Sequence, residues 1–302
     1  MPLITAYITV VLIWATTPLA IQWSSESVGF LFGISSRMTL GAMVAFALIT
    51  MLGKKLAFDE KAIQTYVAAG LGLFTALLSV YWSAQFIPSG WISIIYGVTP
   101  IFTGLLAMKI LGERGLTLFR IFAIVLGILG LYVMLENGAQ FRPHTGYGIV
   151  GVLMSSLFYS LSMVMVKKIN ADIDTYSTVT GGLIVAAILF IIVWNGFGTE
   201  IPAEIPYRAG LSIIYLATIG SVLGFLLFYY VLKRVEATRV SLITLMTPVS
   251  ALILGHLLNN EPLNREIVSG CALILSGLLL FEFEVAIRRI KITNLLRINN
   301  DE

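Results

Sequence analysis

GVTPIFTGLLAMKILGE, residues 97–113, is an apolar run long enough for one helix, yet it carries a proline and stops at a glutamate. Residues 245–261, LMTPVSALILGHLLNNE, repeat the arrangement. Thr99, Pro100 and Glu113 are matched by Thr247, Pro248 and Glu261, each pair 148 residues apart. The register extends without gaps, so that residues 81–135 align on 229–283 and pair Tyr81 with Tyr229, Trp82 with Tyr230 and Ser93 with Ser241. Identity is sparse but falls on distinctive residue types, which reads as an internal duplication.

The chain of 302 residues is 58% hydrophobic and only 12% charged. Soluble domains are about one-quarter charged, so this composition excludes an ordinary water-soluble fold. The apolar residues come in blocks of about twenty, and at about 1.5 Å per residue such a block crosses a hydrocarbon core of roughly 30 Å. Ten spans fit, at 3–22, 29–52, 63–86, 90–111, 117–135, 147–167, 175–195, 208–232, 237–258 and 263–285. Barrel strands need only about ten residues with in-out alternation, which is missing, so the fold class is an all-α polytopic membrane protein with ten transmembrane helices. The first block lacks a basic n-region, which predicts a retained span and a mature protein beginning at or near Met1. Cys271 is the single cysteine and excludes an intramolecular disulfide or a CxxC metal site.

The net charge of +3 is spread beside the apolar blocks rather than gathered in one patch, which argues for topology and against nucleic acid. With the N-terminus inside, fifteen Lys and Arg fall on the cytoplasmic side, among them Lys54, Lys55, Lys61, Lys167, Lys168 and Lys233. Only Arg142, Arg208 and Arg265 fall outside, and Arg37 lies within the second span. Both ends are therefore expected in the cytoplasm. Each half then holds five spans, an odd number, so the second copy enters the membrane inverted, with Glu113 cytoplasmic and Glu261 external. Inverted repeats of this kind recur in secondary transporters, where two packings of the halves expose a midplane site to each side in turn.

Several segments resemble the drug/metabolite transporter superfamily, and within it the EamA-like ten-span exporters. They are VVLIWATTPLAIQW at 10–23 with SSLFYSLSMVMVKK at 155–168, SSRMTLGAM at 35–43, and the two TP helices followed by LGE and NNE. Asn259 and Asn260 depart from the pattern where the first half has LG. The resemblance covers about residues 3–285 and implies a first repeat at 1–140, an inverted second repeat at 141–287 and a polar cytoplasmic tail at 288–302. It implies export of a small molecule from a cavity lined by spans 1, 3, 4, 6, 8 and 9, in the plasma (inner) membrane of a bacterium. Members export amino acids, purines and other metabolites, and some relatives carry nucleotide-linked or phosphorylated sugars.

The candidate substrate-binding residues are Trp14, Thr17, Arg37, Tyr81, Trp82, Tyr96, Thr99, Tyr159, Tyr230 and Ser241. Arg37 costs about 2.5–3.5 kcal/mol at a helix centre unless compensated. It either faces the cavity and meets a carboxylate or reaches a helix end and the outer interface. The aromatic and hydroxyl residues suit a pocket for a small amphipathic molecule, and packing explains any one of them equally well. Pro100 and Pro248 are candidate hinges, since a mid-helix proline leaves a backbone carbonyl without its donor; a static kink is the alternative. No catalytic or metal motif is present, no cofactor is implied, and a monomer in contact with membrane lipid and a small-molecule substrate is expected. Every Asp and Glu lies in a connection or near a span end, which favours facilitated transport or exchange over proton antiport. The favoured cargo is an amino acid or related small metabolite; the alternatives are a larger or anionic nucleoside-like cargo and, from another class, a membrane-embedded lipid-modifying enzyme.

Overall fold

A computed structural model describes residues 2–113, 118–137, 144–197, 201–240, 243–261, 263–277 and 279–280. Arg114, Arg142, Ser241 and the tail at 288–302 lie outside them. Among the described residues the secondary structure is helical, with no strand. The helices are α1 Leu3–Ser25, α2 Phe30–Met51, α3 Glu60–Ser83, α4 Ser89–Tyr96, α5 Thr99–Leu111, α6 Leu118–Asn137 and α7 Thr145–Ile169. They continue as α8 Thr175–Gly196, α9 Tyr207–Tyr215, a π-helical stretch Leu216–Leu223, α10 Gly224–Leu232, α11 Ala237–Val240 and α12 Ile243–Asn259, followed by α13 at 265–277.

Among the described residues seven segments are long and apolar enough to cross a membrane: α1, α2, α3, α4 with α5, α7, α8, and the run from α9 to α10. Helices α6, α12 and α13 fall within the stretches of the other three spans expected from the sequence and are not among these seven. Their outer faces are apolar, with Ile4, Leu12, Phe46, Leu71 and Ile192 exposed, as a lipid-facing surface requires. Two helix starts are capped by carboxylates: Asp59 accepts from Ala62 N (3.3 Å) and Asp174 from Ser177 N (2.8 Å).

The repeated motif shows why it has its form. In a continuous helix Pro100 would leave the Tyr96 carbonyl, and Pro248 the Thr244 carbonyl, without an N–H donor. Thr99 Oγ1 donates to Tyr96 O (2.5 Å) and Thr247 Oγ1 to Thr244 O (3.1 Å), so the threonine before each proline fills the vacancy that the proline makes. The two copies differ in the chain path. Pro248 lies inside α12, whereas the first copy breaks at Gly97 and Val98, and Pro100 stands in the opening turn of α5, where its missing N–H costs nothing.

The two helix ends also correspond. Gly112 (φ +67) and Asn260 (φ +51) occupy the same left-handed position, 148 residues apart. The following Glu113 and Glu261 turn their N–H groups back on Ala107 O (3.2 Å) and Gly255 O (3.1 Å). Asn is the side chain that best tolerates this conformation after Gly, so NNE closes the helix as LGE does.

The chain forms two compact units, residues 1–113 with 141–262, and 114–140 with 263–302. In the first, α3 lies along α7 and α8, α2 along α8, α5 along α7, and α12 against α1 and α4, so helices from the two sequence halves alternate. Close approach depends on glycine: a Cβ at Gly72 would collide with Ser162 and one at Gly181 with the Tyr66 ring. Of the glycine pairs at 29–33 and 220–224, Gly33 packs on the Ser24 carbonyl and Gly224 on Trp14, while Gly29 (φ +82) starts α2 and has open space around it. In the second unit, α6 and α13 meet through Gly130 against Gly270 O and Gly277 against Ala123 O.

Candidate functional site

A cavity of about 110 Å³ opens within the first unit, lined by α1, α2, α3, α4, α7, α10 and α12. Its walls are apolar: Ile21, Leu73, Leu77, Val80, Ile92 and Phe225. One water needs only about 10–15 Å³ of such space, so the volume admits several waters or a small organic molecule. The polar groups on the wall are few and uncharged except for one, and they are Thr17, Ser93, Tyr96, Tyr159, Thr244, Thr247 and Arg37.

Arg37 is 2% exposed, so the inward of its two readings describes its position. Nε donates to Ser221 Oγ (3.0 Å) on the π-helical stretch, and Nη1 to Tyr81 Oη (3.4 Å), whose ring also lies beneath the guanidinium at 5.9 Å. Ser24 Oγ donates to the same Tyr81 hydroxyl (3.4 Å). These partners are all neutral. A π turn widens a helix by about one residue per turn, and such turns gather at functional sites; here one carries Ser221 to Arg37, the charged group on the cavity wall among the described residues.

Aromatic rings build one side of the cavity. Trp14 stands edge-on to Tyr159 (6.0 Å between centroids) and to Phe225 (5.9 Å), and Tyr96 stands edge-on to Tyr159 (6.5 Å). The Tyr96 hydroxyl is engaged by Ser155 Oγ, which also donates to Ala76 O (2.5 Å). The Tyr159 hydroxyl is buried with no hydrogen-bond partner, an uncommon state for a buried polar group.

The sequence-derived candidates thus fall into four groups. Trp14, Thr17, Arg37, Tyr96 and Tyr159 line the cavity. Tyr81 stands behind the wall, holding Arg37, and Thr99 stands behind it too, bonded to Tyr96 O and Ser156 Oγ. Trp82 and Tyr230 lie elsewhere. Trp82 is 37% exposed and packs on Phe86 and Tyr147, and Tyr230 stacks under the Arg234 guanidinium (3.7 Å) beside Lys54 and Asp174. Ser241 lies outside the described residues. Thr244, Thr247 and Phe225 line the cavity without having been singled out as contacts, although the 148-residue register that pairs Tyr96 with Thr244 pointed to the first.

Each end of this unit has its own polar cluster. Glu261, 9% exposed, accepts from Ser89 N (2.9 Å), Ser89 Oγ (2.6 Å), Asn259 Nδ2 (3.2 Å) and Gly90 N (3.0 Å), capping the start of α4. Asn259 also exchanges hydrogen bonds with Gln22 (3.2 Å) and Trp23 (3.2 Å). At another site Lys167 Nζ donates to the carbonyls of Leu232 (3.0 Å) and Val235, and Lys233 Nζ to that of Ile173, tying α7, α10 and the α7–α8 connection together. Among the described residues no three His, Cys, Asp or Glu come together as a metal site.

Apolar helices from both sequence halves around a small cavity with a buried cation on its wall describe an integral membrane protein of the transporter class. The chain belongs to the EamA-like transporter family, whose profile matches residues 1–136 and 146–283. It is similar to an uncharacterized transporter of Bacillus subtilis, YoaV, with 23% identity over 285 residues, 94% of this chain and 97% of that one. It is 26% identical over 291 residues to a probable terminal-alkyne amino-acid exporter of Streptantibioticus cattleyicolor, covering 94% of each. A solved crystal structure shares the fold at a TM-score of 0.69 with 19% identity, over 95% of this chain and 97% of that one.

Proposed function

We propose that the protein is a secondary transporter of the bacterial inner membrane that exports an amino acid or related small metabolite. The single observation that carries this reading is the cavity itself: α1 to α4 of the first half and α7, α10 and α12 of the second enclose it, with Arg37 on its wall. The ten-span arrangement, with repeats at 1–140 and 141–287 inverted and both ends cytoplasmic, is part of the proposal. Its support is the charge asymmetry across the spans and the matching helix ends at Gly112–Glu113 and Asn260–Glu261. Relative movement of the halves would then open the cavity to alternate sides, by facilitated transport or exchange, in a monomer. The similarity to an amino-acid exporter favours that cargo class over a nucleoside-like one, as does a cavity whose wall holds one cation and about 110 Å³ of space.

Counterflow in liposomes across a panel of amino acids and nucleosides tests the reading. Labelled amino acid should exchange chemically unchanged, and Arg37→Ala should reduce that exchange at least tenfold. Formation of a new product with no flux would instead place the protein among lipid-modifying enzymes.

A further inference from the structure

The wall of the cavity carries a positive charge, and among the described residues that line it none carries the opposite one. Arg37 offers five N–H donors, of which two are used, one on Ser221 Oγ and one on Tyr81 Oη. Both acceptors are neutral hydroxyls. Among the described residues the lining offers no counter-charge: α1, α2, α4, α5, α7, α10 and α12 contain no Asp or Glu, and α3 has only Glu60 at its first residue, away from the cavity lining. Elsewhere the protein does bring carboxylates and basic or backbone donors together, as Lys54 with Asp174 (3.0 Å) and Glu261 with the start of α4. The cavity is the place where a buried cation has been left without one.

A buried charge in an apolar wall is stabilised most by a ligand that brings the opposite charge and no charge of its own to be solvated. A carboxylate meets the guanidinium through paired N–H···O bonds. A zwitterionic amino acid brings a carboxylate too, but its ammonium would enter a space that has no acid to receive it, only hydroxyls and the faces of Trp14, Tyr159 and Phe225. The partnerless Tyr159 hydroxyl supplies one further donor or acceptor for a neutral polar group of the cargo. The remaining wall is aliphatic and aromatic.

We infer that the cavity selects a net monoanion, an apolar carboxylate whose amino group is absent or masked, such as a short branched or aryl carboxylic acid, a 2-oxo acid or an N-acylated amino acid. The inference rests on the carrier reading of the same cavity and sharpens its cargo: the carboxylate is the recognised group and the ammonium is disfavoured.

The test uses the purified full-length protein in detergent and equilibrium binding by titration calorimetry at neutral pH. The probes form matched series built on leucine and phenylalanine: the amino acid, its des-amino carboxylate, its 2-oxo acid, its N-acetyl derivative and its decarboxylated amine. The des-amino, oxo and acetyl acids should bind at least tenfold more tightly than the zwitterion, and the amine not at all. Arg37→Gln should abolish acid binding, while Arg37→Lys, which keeps the charge, should retain the order of preference with weaker affinity and guards against loss of fold in the neutral variant. Binding of the amine, preference for the zwitterion over its des-amino acid, or no binding by any acid in either series would overturn the inference. The two readings fail separately. Acid binding without counterflow in liposomes would remove the carrier assignment and leave the charge preference standing; counterflow of zwitterions that the des-amino acids do not inhibit would do the reverse.

Discussion

At the scale of single residues, the TP pairs are the clearest case of one side chain repairing what its neighbour breaks. The Thr244 carbonyl loses its helical donor to Pro248 and regains one from Thr247, and the Tyr96 carbonyl, at the break before Pro100, takes its donor from Thr99. Thr99 and Thr247 are both buried. Replacing either threonine by valine keeps the shape and removes this donor from the carbonyl, at a cost of about 1 kcal/mol. Thr99→Val and Thr247→Val should each lower the thermal unfolding midpoint in detergent, and the Ser variants should not. Equal stability of the Val and Ser variants would show that the hydroxyls are incidental. The motif's position was legible in the sequence, whereas its repair chemistry was not, because a threonine before a proline can also point away from the helix.

Among the helices, what the sequence conveyed and what it concealed have one cause. The spans are apolar on every side, so their existence and rough limits could be read from length and hydropathy, but no polar face marked which way each residue points. Tyr81 and Trp82 illustrate this. Neighbours on a helix point about 100° apart, and here one is fully buried against Arg37 while the other is exposed beside Phe86. The break between α4 and α5 was hidden for a related reason, since Gly97 and Val98 read as part of an unbroken apolar run. Helix caps in the connections escape that ambiguity. Asp174 accepts the Ser177 N–H and pairs with Lys54, and although burial raises its pKa, these two partners outweigh it and hold the carboxyl below its ordinary value. A depressed pKa in the folded state contributes stability that is present above the unfolded value and disappears as pH falls through the folded one. Asp174→Ala should lower stability at neutral pH by about 1 kcal/mol through loss of the cap. In acid-unfolding series the difference between wild type and Asp174→Ala should narrow as Asp174 protonates, and a constant difference down to strong acid would contradict this account.

For the whole molecule, the distribution of charge bears on what drives transport. Among the described residues the acidic side chains lie in connections or near helix ends, and the buried one, Glu261, has its oxygens occupied by donors of α4 and Asn259. Carriers that use a proton gradient commonly place a carboxylate within the membrane at the site, and the described residues that line this cavity include none. It has Arg37 instead, and a monoanion leaving a cell whose interior is negative is driven by about 2.3 kcal/mol per 100 mV. The expected behaviour is therefore electrogenic and indifferent to protons. In liposomes loaded with an N-acylated amino acid, an inside-negative potassium diffusion potential should accelerate efflux severalfold, and reversing its sign should slow it. A pH gradient imposed without a potential should produce no concentrative uptake beyond that of protein-free liposomes, which control for diffusion of the protonated acid through lipid. Uptake driven by the pH gradient would require a proton-carrying group elsewhere in the fold, and Glu261→Gln would then be the first variant in which to look for its loss.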